Sequence, residues 1–245
     1  MKWIEPDWPA PANVRALSTT RDGGVSKGVF AGLNLGAHVG DDLARVEANR
    51  GHLQQVAAIP APLNWLNQVH STVVHPVSCH YEQAPDADAA CAHEVEQACI
   101  VMTADCLPVL FCDRAGTVVA AAHAGWRGLK EGVLEASIAA MACDPVDILA
   151  WLGPAIGPTA FEVGGEVRDA FMAEQAEAAT AFVPSPNEGK WLADIYQLAR
   201  LRLARAGVNA VYGGEHCTFS DGEQFYSYRR DGQTGRMASL IWLTA

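Results

Sequence analysis

Long hydrophobic runs are missing from this chain, and positive charge is scarce. The apolar stretches break at Asp105, Asp113 and Pro154, well short of the length that crosses a bilayer. Lys and Arg number 17 against 28 Asp and Glu, a net charge of -11 at pH 7. A nucleic-acid polymer or an anionic membrane as main partner demands basic patches, so this balance argues against both. A few local arginines can still hold a small anion. The 7 cysteines include no Cys-x-x-Cys pair, which removes zinc-ribbon and thioredoxin-type readings. Their odd number, and an opening segment from Met1 to Pro9 without the apolar core of a signal peptide, predict a soluble cytoplasmic protein.

Core material is plentiful: 50% of the 245 residues are apolar and only 18% are charged. No repeat, low-complexity tract or linker interrupts the chain, so the expectation is a single domain over 1–245. Segment 14–20 reads as a strand, followed by a glycine-rich loop (Gly28, Gly32, Gly36, Gly40) that carries Asn34 and His38. Asp41 or Asp42 can cap a helix over about 43–58. Segment 71–76 looks like the end of a strand. Segments 98–102, 107–112 and 117–123 are short continuous apolar runs, as expected of strands buried on both faces. After Gly128 the period changes to that of a helix through Met141, and 147–152 returns to a strand. Helices are predicted over about 165–182 and 191–206, and a β-hairpin from 225–230 and 237–243. Together these predict an α+β fold of mixed β-sheets flanked by helices.

Chemistry concentrates at the ends of two adjacent apolar runs. Thr103-Ala-Asp-Cys-Leu-Pro108 carries Asp105 and Cys106, His123-Ala-Gly-Trp-Arg-Gly128 carries His123 and Arg127, and Asn67-Gln-Val-His70 adds His70 upstream. Two histidines and a thiolate form a three-ligand soft site with a fourth position open, the pattern of catalytic rather than structural zinc. Each residue alone has a plainer reading: Cys106 as a small core residue, His123 as a satisfied polar group. Asp105 in apolar surroundings needs a partner or a function, and the glycine-rich turn after His123 suits an anion. His52, His75, His80, His93 and His216 lack such company and read as ordinary surface or core histidines.

The motifs Asn67–His70, Asp86-Ala-Asp-Ala89, Met102–Val109 and Ala122–Gly128 resemble the signature of the YfiH-type laccase-domain family. Trp151-Leu-Gly-Pro-Ala-Ile-Gly-Pro158, Phe161-Glu-Val163 and Ser227-Tyr-Arg-Arg230 fit the same pattern, which runs from Ser18 to Leu243. The resemblance implies a YfiH-like layered sandwich and a zinc-dependent purine nucleoside phosphorylase. It would act on adenosine, inosine, guanosine and methylthioadenosine, with adenosine deamination as a second activity. Carried over, the metal ligands fall on His70, Cys106 and His123, and His38 with Asn34 falls near the substrate. The family also implies two alternatives, a copper-dependent polyphenol oxidase and a role in editing peptidoglycan precursors.

Each activity makes its own demand on the residues. Deamination needs an activated water and a proton shuttle, for which Asp105 is the candidate, with the orientation of a ligating histidine as its plainer role. Phosphorolysis needs a grip on phosphate, and Arg21, Arg127 and Arg229 sit beside the motifs. An oxidase with a copper cluster would need paired histidines, and no His-x-His occurs, although copper can occupy a soft site of this kind. A cysteine hydrolase would use Cys106 as nucleophile and His123 as base, and a structural zinc would need a fourth protein ligand. The expected partners are a purine nucleoside and phosphate, with a homodimer as an option that the periodicity leaves open.

Overall fold

The computed structural model describes residues 1–60, 62–77 and 83–245, so His80 lies outside the described residues. A six-stranded mixed sheet runs in the order Ala210–Gly213, Ile148–Leu152, Leu107–Asp113, Val119–Ala124, Ala89–Ala92, Val74–Pro76. A four-stranded sheet packs across one face, in the order Trp3–Ile4, Val14–Thr19, Met237–Leu243, Cys99–Thr103. A small third sheet joins Phe182–Pro184, Lys190–Ala193 and Glu162–Gly164.

Two-sided burial explains the unbroken apolar runs. Along Leu107–Asp113, Val109 and Phe111 face the helices Val133–Met141 and Ile195–Arg205, whereas Leu110 and Cys112 face the four-stranded sheet. The four-stranded sheet alternates likewise. Cys99, Val101 and Ile241 meet the larger sheet, and Ile100, Met102 and Leu240 pack with Leu53 of the helix Leu43–Val56. The result is a layered sandwich of mixed sheets flanked by helices, as expected. No helix among the described residues is long and apolar enough to cross a membrane, and the described cysteines are all free thiols.

Several boundaries differ from expectation, each for a local reason. The helix after Gly125 is broken by Gly132, whose φ of +104° is left-handed, into Trp126–Glu131 and Val133–Met141. The stretch 165–182 is an α-helix only to Glu174. Gln175 turns extended, and a 3-10 segment and a short strand follow. Asp194 caps the helix Ile195–Arg205 by accepting from Gln197 N at 2.9 Å, so the residues before it are free to form the strand Lys190–Ala193. The expected hairpin at 225–243 does not form. Ser227 caps a helical turn at Tyr228–Asp231, Phe225 and Tyr226 are both buried, and Met237–Leu243 pairs with Val14–Thr19 and Cys99–Thr103 instead.

The tight link between Leu107–Asp113 and Val119–Ala124 is fixed by one buried carboxylate. Asp113 accepts from Thr117 N at 2.7 Å, Thr117 Oγ1 at 2.7 Å and Val118 N at 3.0 Å. Burial opposes its charge, but these bonds hold the carboxyl below its ordinary value of 3.8. Asp113→Ala is therefore expected to cost about 2 kcal/mol of unfolding free energy, because it strands the buried Val118 amide and removes both bonds from Thr117. The difference between the two proteins should be full above the unfolded carboxyl value and vanish as pH falls through the lower folded one. Denaturant unfolding at pH 7 and pH 3 measures both.

Candidate metal centre and active site

Strand register assembles the site at one end of the six-stranded sheet. Cys106 immediately precedes Leu107–Asp113, whose Pro108 pairs with His123 on the neighbouring strand. The next pairing, Ala89 with Ala122, sets Asp88 beside His123, whose amide donates to the Asp88 carbonyl at 2.7 Å. His70 arrives on the loop before the outer strand Val74–Pro76.

The ligand atoms of His70, Cys106 and His123 lie within 4.8 Å of one another. Cys106 Sγ is 3.9 Å from His70 Nε2, and the two imidazoles meet edge to face with centroids 4.8 Å apart. Bonds of about 2.0–2.3 Å to one tetrahedral ion would draw these atoms together by modest side-chain rotations. His123 Nδ1 is 2.8 Å from Asp88 Oδ1. The carboxylate fixes the proton on that nitrogen and leaves Nε2 as the lone-pair donor. The residues therefore fit a soft divalent ion. Gly125 makes the convergence possible: a Cβ there would lie 2.8 Å from His70 Cδ2 and 3.1 Å from Cys106 Sγ.

Asp88 is the functional residue that the single-residue reading of the sequence passed over. Fully buried, it accepts from His123 and also from the amides of Val69 (3.2 Å), His70 (3.0 Å) and Ser71 (2.5 Å), and from Ser71 Oγ (2.8 Å). Burial works against its charge, but the bonds to His123 and Ser71 hold the carboxyl at about 2. His70 has φ +62°, a conformation costing about 1–3 kcal/mol for a residue with a side chain, and the Asp88 bonds to its own and flanking amides offset that strain. The sequence signal was a carboxylate opening the apolar run 89–92.

Cys106 and His123 titrate as a pair. Burial disfavours the Cys106 thiolate, but the His123 charge and hydrogen bonds from both histidines outweigh it and bring the thiol to about 6. Burial equally disfavours the His123 cation, and Cys106 and Asp88 raise it to about 9. A thiolate is what metal ligation and nucleophilic attack both require.

A cavity of about 530 Å³ opens over this centre, lined by His38, Arg127, Arg229 and Asp105 as well as the three ligand candidates. Trp126, Phe161 and Tyr228 supply aromatic surface. Two predicted substrate residues lie elsewhere. Arg21 spends its guanidinium on the carbonyls of Gly222 (3.1 Å) and Ala31 (3.3 Å) and on the ring of Tyr226. Asn34 is buried in the glycine-rich loop, bonded to Asp41 at 2.9 Å and Gly36, and it accepts from Arg236 N at 2.9 Å. Asp105 does line the cavity, but its carboxylate accepts from Thr218 Oγ1 (2.6 Å), Ser227 Oγ (3.0 Å) and Arg229 N (2.7 Å). It anchors the C-terminal segment over the site, at a left-handed φ of +90°. The His123 ring is oriented by Asp88 instead. Arg236, not foreseen, also lines the cavity.

Residues 15–244 match the family described as multi-copper polyphenol oxidoreductase laccase. The chain belongs to this family. Among the relatives of this laccase-like chain is a purine nucleoside phosphorylase of Pseudomonas aeruginosa, 58% identical over 241 residues that cover 98% of each chain. The YfiH purine nucleoside phosphorylase of Escherichia coli is 56% identical over 242 residues and 99% of each chain. A crystal structure of a Neisseria meningitidis DUF152 protein superposes with TM-score 0.95 at 58% identity, covering 100% of both chains. That of YlmD from Geobacillus stearothermophilus gives 0.92 at 32%, covering 100% of this chain and 97% of the other.

Two substitutions test the centre. Asp88→Asn is expected to weaken metal affinity by about 10- to 100-fold, the usual effect of losing the carboxylate behind a ligating histidine. Gly125→Ala should also weaken binding, by pushing His70 and Cys106 apart, while far-ultraviolet circular dichroism stays that of the wild type. Metal titration against a competing chelator reads both, and unchanged affinities would reject the proposed ligand geometry.

Proposed function

We propose that this protein is a zinc-dependent purine nucleoside phosphorylase acting on adenosine, inosine, guanosine and methylthioadenosine. The observation that carries the reading is a cavity holding cationic and aromatic groups together beside the His–Cys–His centre. Arg127 and Arg229 line it, and neither pairs with a carboxylate among the described residues. In a chain of net charge -11, unpaired guanidinium groups at one opening favour an anionic substrate. The names of the relatives supply the purine nucleoside.

Phosphorolysis forms a bond from a phosphate oxygen to the ribose C1′ as the bond from C1′ to the purine nitrogen breaks, and the purine keeps the electron pair. The arginines hold the phosphate, and Trp126 and Tyr228 offer faces on which a purine can stack. Zinc held by His70, Cys106 and His123 would supply a Lewis acid facing the same space. Copper suits the same ligands. Among the described residues only this one group could hold a metal, which disfavours an oxidase requiring several coppers. Deamination of adenosine as a second activity gains less support, because Asp105, its intended proton shuttle, already accepts bonds from three donors. The lowered Cys106 thiol also favours a second reading, a cysteine hydrolase, in protein without metal.

The test is hypoxanthine release from inosine, with and without phosphate, on protein of measured metal content. Phosphate-dependent release with about one zinc per chain, as a single three-ligand site requires, is the expected outcome. Cys106→Ala should abolish both metal binding and release. Release that needs no phosphate, or a Cys106→Ala protein with full activity, would overturn the proposal.

A further inference from the structure

Arg236 stands at the start of the strand Met237–Leu243 and is held more firmly than the other cavity arginines. Its amide donates to Asn34 Oδ1 at 2.9 Å, and Nη1 donates to the carbonyls of Thr234 and Gly235, both at 3.0 Å. Asn34 is in turn tied to Asp41. Gly36 leaves room for the stem: a Cβ at 36 would lie 2.8 Å from Arg236 Cγ. This scaffold commits one guanidinium nitrogen and leaves Nε and Nη2 without an acceptor among the described residues. No described carboxylate forms an ion pair with Arg236. Asp105, which also lines the cavity, gives its oxygens to Thr218, Ser227 and Arg229.

A half-buried guanidinium that lines a cavity with two nitrogens uncommitted is costly unless something anionic completes it. The free Nε–Nη2 edge is the side of an arginine that matches two oxygens of a tetrahedral oxyanion. Arg127 and Arg229 are exposed, and Arg229 also spends Nη1 on the Glu162 carbonyl at 2.8 Å. They suit the capture of an anion better than its fixed placement.

We infer that Arg236, seated by Asn34 and by the Thr234 and Gly235 carbonyls, is the inner anchor of an oxyanion subsite that positions inorganic phosphate. The inference rests on the phosphorylase reading above. Asn34 then belongs to the site after all, as a positioning residue that acts through Arg236 and touches no ligand.

The experiment uses the full, metal-loaded chain and the variants Arg236→Gln and Arg236→Lys. It measures the phosphate KM at saturating inosine, the inosine affinity without phosphate, the metal content, and the binding of inorganic phosphate by calorimetry. Arg236→Gln is expected to raise the phosphate KM about 10- to 100-fold, the loss of one charge-assisted bidentate contact, with inosine affinity and metal content unchanged. Arg236→Lys keeps the charge but not the fork and should recover part of the loss. It also carries the comparison should the glutamine variant not fold. An unchanged phosphate KM, or parallel losses of inosine and metal binding, would overturn the assignment. If the wild type consumes no phosphate, the phosphorylase reading fails and calorimetry decides alone. Phosphate binding lost in Arg236→Gln still supports the subsite, whereas equal binding in both proteins, or none in the wild type, rejects it.

Discussion

The Asp88 carboxylate is the interaction on which the rest of the site depends. It receives the Nδ1 proton of His123 and bonds from the backbone amides around His70. A single buried charge thereby sets the tautomer of His123 and the left-handed turn at His70. Such a group is tolerable in the interior only because every one of its bonds is made. Its place is also fixed by the sheet, since the pairing of Ala89 with Ala122 leaves Asp88 no position but beside His123. Geometry at the candidate metal centre is thus inherited from strand register, the most strongly specified feature of a sheet with both faces buried.

Register also explains why so much of the centre could be read from the chain. Short apolar runs that end in Asp105–Cys106 and His123 announce strands covered on both sides, and adjacent strands with polar ends must bring those ends together. The mixed sheets followed from the same runs, whereas the layered sandwich was implied by the resemblance to the YfiH-type family. Element ends were less legible where one side chain decided them. Ser227 and Asp194 are each compatible with a strand or a helix until their cap bonds are seen. The break at Gly132 was open to inspection, because a glycine inside an apolar helical pattern is a candidate left-handed position.

Residues acting across long stretches of chain were the ones missed or misplaced. Arg21 stands beside a glycine-rich turn and has the chemistry of a phosphate ligand, yet Tyr226 and two carbonyls from distant segments claim it. Arg236 lies in an unremarkable turn before the last strand, and nothing in its neighbours reveals that Asn34 and Gly36 will receive it. Asp105 has a role that adjacency does not reveal. Its adjacency to Cys106 suggested catalysis, whereas its bonds to Thr218, Ser227 and Arg229 show that it closes the C-terminal segment over the site. Adjacency in sequence to a ligand indicates location; the hydrogen bonds decide role.

Charge distribution connects these particulars to function. The protein as a whole repels anions, and its arginines elsewhere are mostly paired or stacked, such as Arg202 on Glu135 and Arg50 on Trp65. Around the candidate metal centre Arg127, Arg229 and Arg236 line one cavity; Arg127 lies over Trp126 and Arg229 over Phe161, but among the described residues none of the three meets a carboxylate at ion-pair distance. Folding alone gives no reason to collect like charges in a half-enclosed space, since their mutual repulsion opposes it. The proposed phosphate would recover the stability forgone there, and the low surrounding dielectric would strengthen that attraction. In the proposed phosphorylase a small oxyanion would meet several guanidinium groups at once, whereas a net charge of -11 opposes a polyanion.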